Sequence, residues 1–286
     1  MGFNSVHLGH PSGFKAGFGE GGGFAPPSIW DWTSANAETY WNDLVAVSFD
    51  ATIYGVTELQ YKQAINNLFV DGIDPIRANL FYGLLFRGNS NAQKLIDIGG
   101  NAIVPTIGNQ PTIQNSGYSF NGTTNYIDGN VVIGTLYPTN EHDFAFSSCK
   151  PNITVGGNYA LYGVVNGADE RSAIMFDGTS LTYLAHSNSS NPNYANVSDE
   201  GVYYGIQDGT TTTIYMDKIE KAQALNALGV QGTIEEWIGA VNAGGLAWAF
   251  KGQIGCLFRG HDITTTQANN LTDAWNTFVT ATNGGF

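Results

Sequence analysis

The chain has 286 residues, 42% of them hydrophobic, which is enough to bury the core of one large β domain or two small ones. Its 24 acidic and 11 basic residues give a net charge of −13, a surface that repels phosphate backbones and anionic lipid and so argues against nucleic-acid and membrane-surface partners. No apolar run approaches the roughly 20 residues a membrane-spanning helix needs, and no basic start followed by an apolar block marks a secretory signal. Charged residues make up only 12% of the chain, and 37 glycines and 9 prolines supply plentiful turns.

In chain order, residues 1–27 form a Gly-rich segment punctuated by Phe3, Phe14, Phe18 and Phe24. No helical or strand period persists in it, so by itself it buries too little apolar surface to offset backbone entropy. It is expected to be an extended arm whose spaced rings anchor it in pockets of a partner. Residues 28–75 are expected to be a partly helical lead-in. Thr33 and Ser34 offer an N-cap with Glu38 in the first turn. A better helix is predicted over 57–70, capped by Thr57 with Gln60 three residues on. Tyr61, Ala64, Ile65, Leu68 and Phe69 share one of its faces, and Gly72 and Pro75 end it.

From residue 76 onward, short strand-like runs alternate with Asn, Gly and Asp turns. Strands are predicted over 80–86, 117–120, 126–133, 143–147, 159–165, 172–176, 180–186, 201–207, 211–216, 236–241 and 246–258. Such spacing indicates an antiparallel sandwich or barrel. An amphipathic helix closes the chain over 264–279, with Thr264 as cap and Ala268, Leu271, Trp275 and Phe278 along one stripe. Cys149 and Cys256 are too few for a disulfide scaffold and wrongly spaced for zinc. Both read as buried small residues, able to pair if adjacent strands bring them together.

The candidate chemistry is sparse. Gly17–Gly22 matches the letters G-x-G-x-x-G but lacks the strand and helix that a dinucleotide site needs. His7 and His10 lie beside Pro11 and glycines, which deny the helix that would put both on one metal. His142, His186 and His261 read as isolated surface or hydrogen-bonded side chains. Glycoside hydrolysis needs two carboxyl groups about 5–10 Å apart, and no strand carries such a run. The acidic groups Glu141/Asp143, Asp169/Glu170, Asp199/Glu200 and Glu235/Glu236 read as solvated turns. No catalytic residue, metal ligand set or cofactor is therefore assigned. Calcium, which takes loop oxygens without a linear motif, leaves Asp169, Asp177, Asp199 and Asp208 open. Tyr183, His186 and Tyr194 flank the polar stretch 187–193 and are the candidate glycan contacts.

Region 76–286 contains YSFNGTTNYI at 118–127, TTIYMD at 212–217, FKGQIG at 250–255 and TTTQANNL at 264–271. In combination these motifs resemble the concanavalin A-like/laminin G-like jelly-roll superfamily. Lys218 stands where that family usually has Gly. The helix ELQYKQAINNL at 58–68, followed by the jelly roll and the terminal Gln-Ala helix, is similar to structural proteins of tailed bacteriophages. The resemblance implies a mainly β fold, an antiparallel jelly-roll β-sandwich with a few flanking helices and an extended N-terminal arm. It also implies a non-enzymatic virion component: a capsid decoration, head-fibre or tail-fibre subunit, assembled in the bacterial host cytoplasm. Its expected partners are other virion proteins, held through the arm, and further copies of itself. A carbohydrate-binding module for host-surface glycans is the alternative, and a glycan-cleaving enzyme the less favoured one.

Overall fold

In a computed structural model the described residues are 30–99, 101, 103–137, 141–152, 157–165, 171–177, 180–185, 192–195, 200–225 and 233–285. The Gly/Phe segment, with Phe3, Phe14, Phe18 and Phe24, lies outside them. The chain divides into units 1–31 and Trp32–Phe286, and the helices and strands below belong to the second.

Helix α1 (Ala35–Ala46) starts where the Ser34 hydroxyl accepts the amide of Ala37 and Glu38 meets the positive end of the helix. It buries Ala37, Tyr40, Trp41 and Leu44, the spacing of one helical face. Helix α2 (Glu58–Leu68) opens with the expected capping box between Thr57 and Gln60. It ends two residues earlier than expected, because the backbone widens into a π-type turn over Phe69–Ile73. Two one-turn helices follow, α3 (Asn91–Lys94) and α4 (Ile133–Leu136). Helix α5 (Thr265–Ala281) has a second capping box, Thr264 with Gln267, and buries Ala268, Leu271, Ala274, Trp275 and Phe278. It crosses the π turn closely: a Cβ on Gly72 would lie 2.9 Å from the Ala274 Cβ.

The strands run β1 (Leu80–Leu84), β2 (Thr106–Asn109), β3 (Thr112–Gln114), β4 (Gly117–Asn121), β5 (Tyr126–Asp128), β6 (His142–Pro151), β7 (Asn158–Val165), β8 (Arg171–Asp177) and β9 (Ser180–Ala185). Then come β10 (Asn193–Ala195), β11 (Gly201–Asp208), β12 (Thr211–Met216), β13 (Ile219–Leu225), β14 (Trp237–Ile238), β15 (Val241–Asn242), β16 (Leu246–Ala247) and β17 (Lys251–Gly260). One sheet has the order β13-β12-β11-β6-β17-β4-β3, with β1 also paired to β17. The other has β10-β9-β8-β7-β14-β5-β2, with β15 also paired to β7 and β16 to β15. Pairing is antiparallel apart from the short contact of β15 with β7 and one bridge, Ala160 to Ala249. The fold is thus the two-sheet antiparallel sandwich with few helices that the sequence predicts.

Alternation along the strands separates two cores. Ala145, Cys149, Tyr203, Ile214, Ile254 and Leu257 of the first sheet pack with Ile127, Leu161, Tyr162, Ile174 and Phe176 between the sheets. Phe144, Phe146, Val202, Tyr204, Cys256 and Phe258 face the other way, against Tyr40, Tyr61, Leu68, Leu271, Trp275 and Phe278 of the helices. The first sheet is therefore buried on both faces, and its central strands read as nearly unbroken buried runs.

A β-bulge between Ile254 and Cys256 shifts the register of β17 against β6. Because side-chain direction has a period of two, the extra residue reverses which positions face the inter-sheet core. Ile254 faces inward before it, and Leu257 does so after it. Cys149 and Cys256 are both buried and free, on adjacent strands but on opposite faces of the sheet, which keeps the thiols apart. Burial pushes both thiols up from their ordinary range.

Candidate functional site

Strand β17 carries Arg259 into the inter-sheet region, where it is fully buried. Its Nε lies 3.1 Å from both carboxylate oxygens of Glu236. Its Nη1 donates to Asp143 Oδ1 at 2.9 Å and to the Phe144 carbonyl, and its Nη2 donates to Ser172 Oγ at 2.8 Å. The guanidinium carbon sits 4.4 Å from the Tyr162 ring centroid. Tyr82 donates its hydroxyl to Glu236 Oε1 at 2.5 Å. Burial, reinforced by the Asp143 charge, holds the Glu236 carboxyl above the usual carboxylate range despite Arg259.

This cluster corrects two expectations. Asp143 and Glu236 are not solvated turn carboxylates but buried groups that share one arginine. An arginine inside the apolar strand 254–260 was the sequence signal for it, since a fully buried cation requires a partner. The cluster is closed to solvent, so a polysaccharide cannot reach its carboxylates.

The open site lies on the outer face of the first sheet, where the helices leave β11–β13 uncovered. Its cavity volume is about 650 Å³. Ile206, Thr213 and Tyr215 form the floor. Thr213 is paired with Ile206 on one side and Gln223 on the other, and Gln223 Nε2 donates to its hydroxyl at 3.2 Å. Thr264, Thr265 and Thr266, at the start of α5, form one wall. Tyr215 stacks flat on Tyr204, with centroids 4.7 Å apart, and its hydroxyl lies 3.4 Å from Thr265 Oγ1.

His142, Asp208 and Asp262 occupy the end of the groove. His142 Nδ1 is 3.4 Å from Asp208 and its Nε2 is 3.9 Å from Asp262. The other oxygen of Asp262 is 2.7 Å from His261 Nδ1, and the His261 ring stacks on Tyr137 at 4.1 Å. His142 and His261, read from the sequence as isolated, are therefore linked through Asp262. Among the described residues no lysine or arginine lines the groove. It offers hydroxyls, an amide, carboxylates and imidazole, a donor and acceptor set suited to a hydroxyl-rich ligand.

The residues singled out from sequence lie elsewhere. Tyr194, on β10, is paired with Leu181 of β9 at the edge of the second sheet. It is partly buried against the inter-sheet core, and Lys221 Nζ lies 5.2 Å from its ring centroid. Tyr183 is on β9, paired with Ile174; its side chain, like all of His186, is outside the described residues. So are Asp169 and Asp199 among the calcium candidates, while Asp177 ends β8 and Asp208 borders the groove. Among the described residues no group of three or more His, Cys, Asp or Glu side chains gathers as a metal site. The groove was hidden from sequence because its lining comes from separate segments, at 142, 206–223 and 262–266.

No protein-family model matches the sequence, and no curated protein matches it. Solved structures do. A mutant of Trypanosoma rangeli sialidase displaying trans-sialidase activity aligns with a TM-score of 0.53 and 12% identity over 77% of this chain and 38% of that one. Trypanosoma rangeli sialidase in complex with 2,3-difluorosialic acid aligns at 0.50 and 11%, over 70% of this chain and 33% of that one. A Ruminococcus gnavus IT-sialidase CBM40 bound to α2,3 sialyllactose gives 0.45 and 14%, over 56% and 97%. The chain spans about a third of the length of the two sialidases, so their activity belongs to much longer proteins. What it shares with them is the fold, a two-sheet antiparallel β-sandwich.

Proposed function

We propose that this chain is a non-enzymatic glycan-binding subunit, and that the groove over β11–β13 holds the glycan. The observation that carries the reading is the groove itself: an open concavity that presents hydroxyls, an amide, carboxylates and imidazole over an Ile/Tyr floor. Enzymatic cleavage receives no support from the close carboxylate pair, because Asp143 and Glu236 are both occupied by Arg259 and sealed. Binding on a glycan array, weakened at least tenfold by Thr213→Val combined with Gln223→Ala, is the expected result. Unchanged binding by that variant would refute the assignment to the groove. Tyr194→Ala, at the sheet edge, tests the contact surface suggested by the sequence.

The Gly/Phe composition of residues 1–27 and the resemblance to tailed-phage structural proteins favour a setting for this activity. In it the sandwich is displayed on a virion as a capsid decoration, head-fibre or tail-fibre subunit, in several copies. The arm, through Phe3, Phe14, Phe18 and Phe24, docks on another virion protein. Removing residues 1–27 is expected to leave a folded sandwich that no longer incorporates into particles. Normal incorporation would count against the arm.

A further inference from the structure

At the opposite end of β17 from the groove, the chain passes through a strained tryptophan. Trp248 has φ = 47°, a left-handed conformation that is a genuine outlier for a bulky residue. The surrounding backbone fixes it. The Ala160 amide donates to the Trp248 carbonyl at 2.8 Å, Ala249 bridges to Ala160 in parallel, and the Phe250 amide donates to Gly239 at 2.7 Å. The sequence predicts one strand over 246–258; this kink instead splits it into β16 and β17.

The kink determines how the indole is presented. Trp248 is half-buried and packs on a shelf of small and flexible side chains, Ala160, Ala173, Met175 and Val241. No aromatic ring among the described residues stacks on it. It borders an open concavity of about 330 Å³ together with Gly122, Thr123, Asn158, Leu246 and Ala247. Leu246 is 40% exposed. Among the described residues no lining side chain carries a charge. An indole backed on one side by a rigid shelf, beside an exposed hydroxyl, an exposed amide and an apolar rim, matches the two faces of a pyranose. The apolar C–H face of the sugar lies against the ring, and its hydroxyls reach Thr123 and Asn158.

We propose that Trp248 is the platform of a second binding site, which takes an uncharged sugar ring and is distinct from the groove over β11–β13. The backbone strain at position 248 is retained because it aims the indole into this concavity. The site does not depend on the groove reading, since the two lie at opposite ends of β17 and share no residue.

Asparagine tolerates the left-handed region better than tryptophan, so Trp248→Asn separates strain from binding. Titration with cello-, xylo-, manno- and galactohexaose, followed by tryptophan fluorescence and calorimetry, is the experiment. At least one sugar should bind the parent chain. Trp248→Asn should weaken that binding tenfold or more while its melting temperature stays equal or rises. Thr213→Val with Gln223→Ala, the groove variant, should leave this binding event in place. Binding unaffected by Trp248→Asn overturns the proposal, as does the absence of binding to all four sugars. Binding lost only in the groove variant overturns this site and supports the other. Should Trp248→Asn melt lower than the parent, Thr123→Val with Asn158→Ala, both at exposed positions, serves instead, with the same tenfold loss expected and unchanged affinity overturning the site.

Discussion

Arg259 shows how much one side chain can organise. It pairs with two carboxylates, donates to a hydroxyl and a carbonyl, and lies over a tyrosine ring, all without solvent. A buried ion cluster of this kind contributes little net stability, because desolvation offsets attraction, but removing one partner leaves the others stranded. Arg259→Met should therefore cost about 3–5 kcal/mol in urea unfolding. Adding Asp143→Asn and Glu236→Gln should recover more than half of the loss; no recovery would mean that packing dominates.

Lys94 is a second buried cation, with Nζ donating to the carbonyls of Phe86 at 2.7 Å and Gln114 at 2.5 Å. Burial, with repulsion from Arg87, brings its ammonium down from 10.5 to about 7. Below about pH 7 the folded and unfolded chains both carry the proton, and the full cost of burying it is present. From there up to the unfolded value the folded chain has released a proton that the unfolded chain still holds, so stability rises with pH. The stability of the parent relative to Lys94→Met should increase between pH 7 and 9, and a difference independent of pH would contradict the assignment. The apolar strand around Arg259 flags a buried cation, but its partners Asp143, Ser172 and Glu236 come from other segments and are not legible beside it.

At the level of elements, helix boundaries were legible and the shorter strands were not. Ser34, Thr57 and Thr264 cap the three long helices as their spacing suggests, since capping is a local hydrogen bond encoded within four residues. Thr57→Ala should cost about 1 kcal/mol and lower the melting temperature by about 2–4 °C, measured by circular dichroism; an unchanged value would mean that the α2 terminus is held by packing alone. The short edge strands β2, β3 and β10 lie outside every run predicted from the sequence; each pairs with a single neighbour, β5, β4 and β9 respectively, so its place in the sheet is set by that partner rather than by its own residues. The groove was equally invisible, because its floor and its wall belong to elements that meet only in the folded chain.

Across the whole molecule, the sandwich pattern was readable from turns and alternation, but the helical layer's effect on it was not. Helices α1, α2 and α5 cover the outer face of the first sheet and make it the middle of three layers. Phe144, Phe146 and Phe258 would otherwise be exposed rings. Helices and sheet share one core, so they should unfold together: far-ultraviolet dichroism and tryptophan fluorescence should give superimposable urea transitions. A helical layer that melts first would show that the middle sheet is stable without its cover.

The bulge in β17 leaves that strand with one residue to spare. Deleting Gly255 would let Cys256 follow Ile254 in regular alternation, with Leu257 and Arg259 still facing inward and Phe258 outward. Inserting one residue between Cys256 and Leu257 would instead exchange inside and outside for everything after it, driving Phe258 toward the arginine's carboxylates and Arg259 under the aromatic helices. The deletion should still yield soluble protein, whereas the insertion should yield none, a contrast that expression and gel filtration would read directly. In this half of the strand, drift by loss of the spare residue is open and drift by a further gain is closed.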